Sequence, residues 1–353
     1  MKQSALAPAV LAALFLNHSV QAQAGVQVYG LIDAGVEAVN HAGPANRGTV
    51  RVISGGKNTA RWGLRGSEDL GGGLKAVYNL EGGILMDSGA SDGALFKRQA
   101  NVGLEGGFGR LVVGRSFTTT YDLVIKFDPM GFAPNYSWAT TGSATGPSKY
   151  GMTTSFDNLV KYTGRSSGFT YGASVGLGEQ AGSAADGRKY ALGGSWFGSG
   201  IGLMAAFEQV NGGVPAPAGE RERTTALHLG ADYQRGPWRY TAGLRSYRRD
   251  PGMAGAADLR GDTWWGGVTW AADRLTLTGA VYHVNTRALP ADRDADPTML
   301  VARAMYNLSK RTWLYLSAAH ATARHGQLVG LSRDDPGSAD SQAGIAAGIQ
   351  HRF

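Results

Sequence analysis

Gly164-Arg165-Ser166-Ser167-Gly168 fits the G-x-S-x-G spacing of a nucleophile elbow. That chemistry needs a serine on a strained strand-to-helix turn with a histidine base in reach. Here the stretch separates two segments of period-2 alternation, so it reads as a hairpin turn. A serine at a barrel rim with His320 as base would be the enzymatic alternative. The histidines at 41, 228, 283, 320, 325 and 351 form no HExxH pair or other clustered ligand spacing, and no phosphate loop or dinucleotide fingerprint occurs. The sequence therefore calls for no metal and no cofactor. What remains is charge placed on strands: Arg61, Gly63 and Arg65 share one parity, while Trp62 and Leu64 share the other. Charges held in rows along strands do field chemistry, attracting or repelling ions that pass.

The elements that must carry those charges are strands. Gly interrupts nearly every helical window, and the apolar period is 2. Strand-like segments run from 26–40, through 60–68, 74–85, 96–105 and 110–116, to the terminal stretch 343–353. About sixteen can be marked off, each near the 9–11 residues that a tilted membrane crossing requires. Their connections alternate short and long: 69–73, 106–109, 164–168, 198–200, 235–237, 272–274 and 308–311 are short. Those between them are long, and 117–157 is the longest. Short turns on one rim and long loops on the other predict an all-β, 16-stranded antiparallel transmembrane barrel. In the last strand Ile345, Ala347, Ile349 and Phe353 share the apolar parity, so the chain closes the barrel with an aromatic terminus. Tyr29, Tyr78, Trp264, Trp265, Tyr282, Trp313, Tyr315 and Phe353 lie near strand ends and suit interfacial girdles. A β-rich secreted adhesin would lack both the sorted loops and the terminal aromatic.

Composition agrees. The chain has 353 residues, 54 Gly, no Cys and a formal net charge of +7. Its mean hydropathy of −0.18 excludes helical membrane proteins only, because a β-barrel shows alternation and no long apolar run. Lys2, the apolar run 5–16 and Ala22-Gln23-Ala24 form an export signal, cut after Ala24 with Ala22 as second choice. The apolar run is too short to span about 30 Å of hydrocarbon. Residues 25–353 then form one barrel domain in the outer membrane of a Gram-negative cell. An exported chain without cysteine relies on a large hydrogen-bonded architecture. Its dispersed charge does not point to nucleic acid.

Several stretches resemble the trimeric general porins of Gram-negative bacteria, in particular the neisserial and β-proteobacterial branch. They are Val28-Tyr-Gly-Leu-Ile-Asp-Ala-Gly35, the run 60–76 around Trp62-Gly-Leu-Arg-Gly-Ser-Glu-Asp69, the runs 96–104 and 107–115, Tyr121-Asp122, Asn307-Leu-Ser-Lys-Arg-Thr312 and the terminal Phe353. The match extends over all of 25–353. It implies a water-filled channel for passive diffusion of small ions and polar solutes, a homotrimer, and contact with lipid and lipopolysaccharide. It also implies a third loop, 117–157, folded into the lumen, and a terminal Phe353 read by the barrel-assembly machinery.

Pore residues follow from parity and from the resemblance together. A Lys or Arg on the lipid face costs roughly 2–4 kcal/mol at the midplane. Arg61 and Arg65 therefore face the lumen, with an ion pair to Glu68 or Asp69 as the other reading of Arg65. Lys161 opposes Val160 and Tyr162 and points inward, and Arg115 is placed inward with it. Parity alone puts Arg98 outside with Val102 and Leu104, whereas the resemblance places it in the pore. Within the third loop Asp122, Lys126 and Asp128 are candidate constriction charges, Asp128 matching the family's acidic tip. Relatives carry an arginine before the Asp157-Asn158 pair, where this chain has Phe156. Cations opposite one or two carboxylates predict a transverse field and weak anion selectivity.

Overall fold

A computed structural model describes residues 25–140, 151–214, 219–286, 295–333, 335 and 337–353. The export signal expected at 1–24 lies outside the described residues. Strands dominate: β1 (Gln27–Ala42), β2 (Arg47–Ser54), β3 (Arg61–Gly71), β4 (Leu74–Gly83), β5 (Gln99–Gly106), β6 (Gly109–Phe117), β7 (Ser155–Ser166), β8 (Phe169–Gly176) and β9 (Lys189–Gly198) form the first half. The second half is β10 (Ile201–Asn211), β11 (Arg223–Arg235), β12 (Trp238–Asp250), β13 (Leu259–Ala272), β14 (Leu275–Thr286), β15 (Thr298–Asn307), β16 (Thr312–Thr322) and β17 (Ser341–Arg352). A short helix, α1 (Thr119–Val124), runs into a single 3-10 turn, Ile125–Phe127.

From β3 to β17 each strand pairs antiparallel with its sequence neighbour, β1 pairs with β2 and β3 on one side and with β17 on the other, and the sheet closes. Closure pairs β1 and β3–β17 on both sides, the condition for sheet in hydrocarbon, while β2 pairs with β1 alone. The seventeen segments make a sixteen-stranded barrel because β2 and β3 are two halves of one crossing. β1 pairs with β3 through Gln27–Leu31 and with β2 through Ala34–Ala42. Residues 41–59, expected as one long connection, instead hold a tight turn, β2 and a short break. Gly43 and Asn46 take positive φ in a tight turn, closed by a 3.0 Å bond from Asn46 N–H to Gly43 O. The chain then returns as β2, with Val50 and Val52 outward and Arg51 and Ile53 inward.

The crossing breaks at residues 55–60. Gly55 sits at φ +77, where a Cβ would meet the Asn58 carbonyl at 2.8 Å, so the turn out of the ladder needs glycine. Its N–H donates to Asp33 O at 2.8 Å and holds the break against β1.

The outer face is apolar: Val36, Val52, Val102, Leu203, Leu300 and Ile345 all point away from the interior with about half or more of their surface exposed. So much apolar surface around a soluble protein would be an association hazard, and in lipid it is the solvated face. Tyr78, Tyr162, Tyr171, Tyr233, Trp238, Tyr240, Trp270 and Tyr306 point outward near the short-turn rim and form a girdle. Of the expected girdle residues, Tyr78, Trp264 and Phe353 face outward. Tyr29, Trp265, Tyr282, Trp313 and Tyr315 face inward, where their polar atoms or ring faces have specific partners.

The packed core lies inside the barrel. Phe127, Met130, Tyr136 and Trp138, from the connection between β6 and β7, pack on Trp265, Tyr282, Met299, Val301 and Leu331. A cavity of about 500 Å³ lies along β4–β7, lined by Asn79, Gln99, Asn101, Asp122, Lys161 and Arg165 among others.

Candidate functional site

Residues 118–140 are held within the barrel by side chains of its wall. Thr118 caps α1, its Oγ1 accepting from Tyr121 N–H at 3.0 Å. The Lys161 ammonium of β7 donates to Phe117 O at 2.8 Å and to Asp122 Oδ2 at 2.5 Å. Past α1 the buried carbonyls need donors, and wall side chains supply them. Arg239 Nη2 reaches Lys126 O at 2.6 Å, Trp265 Nε1 reaches Phe127 O at 2.7 Å, Arg303 Nη1 reaches Met130 O at 3.3 Å, and Arg245 Nη1 reaches Ala139 O at 2.5 Å. Asn135 and Tyr136 both donate at 3.0 Å to Glu37, a buried carboxylate of β1 that also takes Arg51 Nε at 2.7 Å. Trp138 Nε1 donates to Gly330 O, tying the segment to the last long connection.

Asp128 is part of that scaffold. Its side chain is nearly buried, at 3 % exposure. Oδ1 accepts from Met130 N–H at 3.2 Å and Tyr282 OH at 2.5 Å; Oδ2 accepts from Phe132 N–H at 2.6 Å and Ser137 OH at 2.8 Å. Four donors converge on one carboxylate, which folds the tip and fixes it to β14. Asp128 therefore does not face the open lumen as a constriction charge. Asp122 remains half exposed, but its charge is matched by Lys161. The acidic pole expected on this segment is thus withdrawn at one residue and paired at the other.

The open side carries the cations. Glu81 of β4 is the hub: Arg98 Nε donates to its Oε1 at 2.7 Å, Arg61 Nε lies 3.6 Å from Oε2, and Tyr29 OH donates to Oε2 at 2.9 Å. One buried carboxylate against two guanidinium groups leaves a positive surplus. Arg98 reaches the lumen because β4–β5 pairing begins at Glu81 and Gln99, so the alternation that argued for an outward side chain does not extend to it. Its guanidinium lies over the Phe117 ring, 5.1 Å from the centroid. Tyr121 stacks on Phe117 at 4.4 Å, and its hydroxyl feels the charges of Arg98, Arg61, Asp122 and Arg333.

Arg65 also points inward, but nearer the short-turn mouth. It bonds Gln27 at 2.9 Å and covers the Tyr29 ring, rather than pairing with Glu68 or Asp69. Lys126 sits below α1 with its ammonium over Phe197. Burial and the neighbouring Arg165 lower its proton affinity. Arg115 corrects the sequence reading. It is in register with Ala100 and shares the outward parity of Leu111 and Val113. There it bonds Asp157, Ser155 Oγ and the Lys97 carbonyl. At the Phe156 position the side chain is fully buried and supplies no pore cation.

Arg303, Arg239 and Arg245 escaped the sequence reading, although the lipid-face argument that placed Arg61 applies equally to them: each alternates with outward apolar or small neighbours. Lys57 gave no such signal because it lies in the break of the second crossing, where alternation stops. Phe353 closes the barrel. Its N–H and C=O exchange 3.1 Å bonds with Gly30, and its ring covers that glycine on the outer face. Arg352 turns inward onto the Trp313 ring. Gly164–Gly168 is the hairpin between β7 and β8, without the helix that a nucleophile elbow requires. His320 is exposed on the outer face, and among the described residues no cluster of metal-binding side chains occurs.

A family model described as Gram-negative porin matches residues 6–326. The chain is 30% identical to outer membrane porin protein 32 of Delftia acidovorans over the whole of both chains. It is 42% identical to major outer membrane protein P.IB of Neisseria meningitidis serogroup B, over 33% of this chain and 34% of that one. Among solved structures, the anion-selective porin from Comamonas acidovorans superposes with a TM-score of 0.80, at 24% identity, covering 94% of this chain and all of the other.

Proposed function

Because the chain belongs to the Gram-negative porin family, it forms a multi-pass outer-membrane channel for passive diffusion of small polar solutes and ions, and we propose that this channel is weakly anion-selective. Porins are channels rather than enzymes, so function rests on the width and field of a constriction. The carrying observation is the imbalance across the lumen. Arg61 and Arg98 share a single carboxylate, Glu81, while Asp128 is turned into the scaffold and Asp122 is matched by Lys161.

In this reading the loop 117–157 narrows the passage, with Tyr121 and Asp122 opposite Arg61 and Arg98. The low-dielectric wall focuses the field of the unmatched guanidinium charge onto passing ions. Residues 1–24 direct export, and three copies assemble as in the porins the chain resembles. Phe353 serves as the signal to the barrel-assembly machinery, and the apolar outer band meets lipid and lipopolysaccharide. Reversal potentials of the purified protein in a KCl gradient across a planar bilayer test the selectivity. A potential of the sign set by chloride is expected; one set by potassium would overturn the reading.

A further inference from the structure

If the lumen prefers anions as proposed above, the break at residues 55–60 contributes to that preference in a way that an unbroken strand could not. Its backbone is built to hold one conformation. Gly55 N–H donates to Asp33 O, Asn58 N–H to Asp33 Oδ2 at 2.8 Å, and Asn58 Nδ2 to Gln350 Oε1 at 2.6 Å. Arg61 Nη1 closes the far end on Thr59 O at 3.0 Å. Between these anchors stands Lys57, partly exposed, its backbone N–H bonded to Asp33 and its ammonium without a hydrogen bond or ion pair among the described residues.

The charges that act on it most are Arg303 of β15, Asp33 of β1, Arg352 of β17 and Arg61 of β3. Both carboxylate oxygens of Asp33 are engaged by neutral donors, Tyr315 OH at 2.9 Å and the Asn58 N–H. The three arginines each have a direct partner: the Met130 carbonyl, the Trp313 ring, and Thr59 O with Glu81. Lys57 is the cation of this group without one.

We propose that the break is a selectivity device: it carries Lys57 into the lumen as an unpaired ammonium, which together with Arg61, Arg303 and Arg352 forms an anion subsite that adjoins the Glu81 hub through Arg61. The inward cations in ladder register, Lys161 and Arg61, are taken up by carboxylates, whereas the loop holds the Lys57 ammonium away from one. An unpaired charge also keeps more of its field available to a passing chloride or carboxylate than one already matched.

The test is the anion-to-cation permeability ratio of wild type, Lys57→Gln and Lys57→Arg in KCl gradients at pH 7 and pH 11. A charge a few ångströms from the ion path in a partly watery lumen acts on the order of 0.5–1 kcal/mol, so Lys57→Gln is expected to lower the ratio about 2- to 5-fold at pH 7. Lys57→Arg should retain it. At pH 11, above the ordinary lysine range near 10.4, wild type should lose more of its ratio than Lys57→Arg, whose guanidinium stays charged. The remaining lysines titrate in both proteins, so that difference isolates Lys57. An unchanged ratio in Lys57→Gln, or an equal fall in Lys57→Gln and Lys57→Arg at pH 7, would overturn the proposal while leaving the anion preference of wild type standing. A cation-selective wild type would instead remove the reading beneath it.

Discussion

Replacing Asp128 by alanine should loosen the internal segment without unfolding the barrel. The carboxylate receives four hydrogen bonds, from Met130 N–H, Phe132 N–H, Ser137 OH and Tyr282 OH. A hydrogen bond to a charged acceptor is worth about 1.5–3 kcal/mol when the orphaned donor stays buried. Tyr282 is fully buried, so its hydroxyl incurs that full cost. The two N–H groups and the serine lie on the segment itself and can turn toward lumen water, so each loses roughly 0.5–1 kcal/mol. The sum is about 3–6 kcal/mol against the seated conformation, or roughly a 10²- to 10⁴-fold shift toward open states. The strand ladders do not pass through Asp128, so heat-modifiable migration and the unfolding temperature should change little. In single-channel recordings Asp128→Ala should show higher mean conductance and increased open-channel noise. Tyr282→Phe removes one donor and keeps the ring, so it should fall between Asp128→Ala and wild type. Wild-type conductance and noise in Asp128→Ala would refute the assignment of this carboxylate as the clasp of the segment.

Glu81→Gln removes the one carboxylate shared by Arg61 and Arg98, so reversal potentials should show anion preference rising about 2- to 5-fold. Arg115→Gln should leave the reversal potential unchanged because its side chain points outward to Asp157, whereas Arg61→Gln should lower it. Gly30→Val would drive a side chain into the Phe353 ring, where even a Cβ would lie 2.2 Å from Cζ. Overpacking of this kind costs about 1–3 kcal/mol, and the yield of heat-modifiable protein from refolding should fall. In the external loops, the hydrogen bond from Arg221, with help from Ser183, holds the Asp186 carboxyl below its usual range. That clasp is complete above about pH 4, the ordinary aspartate value, and is lost as pH falls through the depressed one. Proteolysis of residues 177–188 should therefore accelerate only in acid, and Arg221→Gln should show the faster rate already at neutral pH.

The barrel was legible in the sequence because its causes are local. Side chains alternate with a period of 2, and lipid on one side of the sheet makes each alternation one-signed. Turn glycines punctuate it, and assembly sorts the loops by rim. The same lipid-face cost placed Arg61 and Arg65 inward, and the strand that ends at Phe353 already declared closure. Where alternation stops, local reasoning stopped with it. Arg98 precedes the first paired residue of its strand, and Lys57 stands in a break that only the pairing of β1 with both β2 and β3 reveals. Arg115 shares the parity of Leu111 and Val113, and the register with β5 places it on the outer face. The roles of Asp122 and Asp128 depended on partners 39 and 154 residues away in the chain, Lys161 and Tyr282. A sequence shows that a carboxylate is present. Whether its charge faces the solute or is consumed by the scaffold depends on which donors the fold brings to it, and only the tertiary structure decides that.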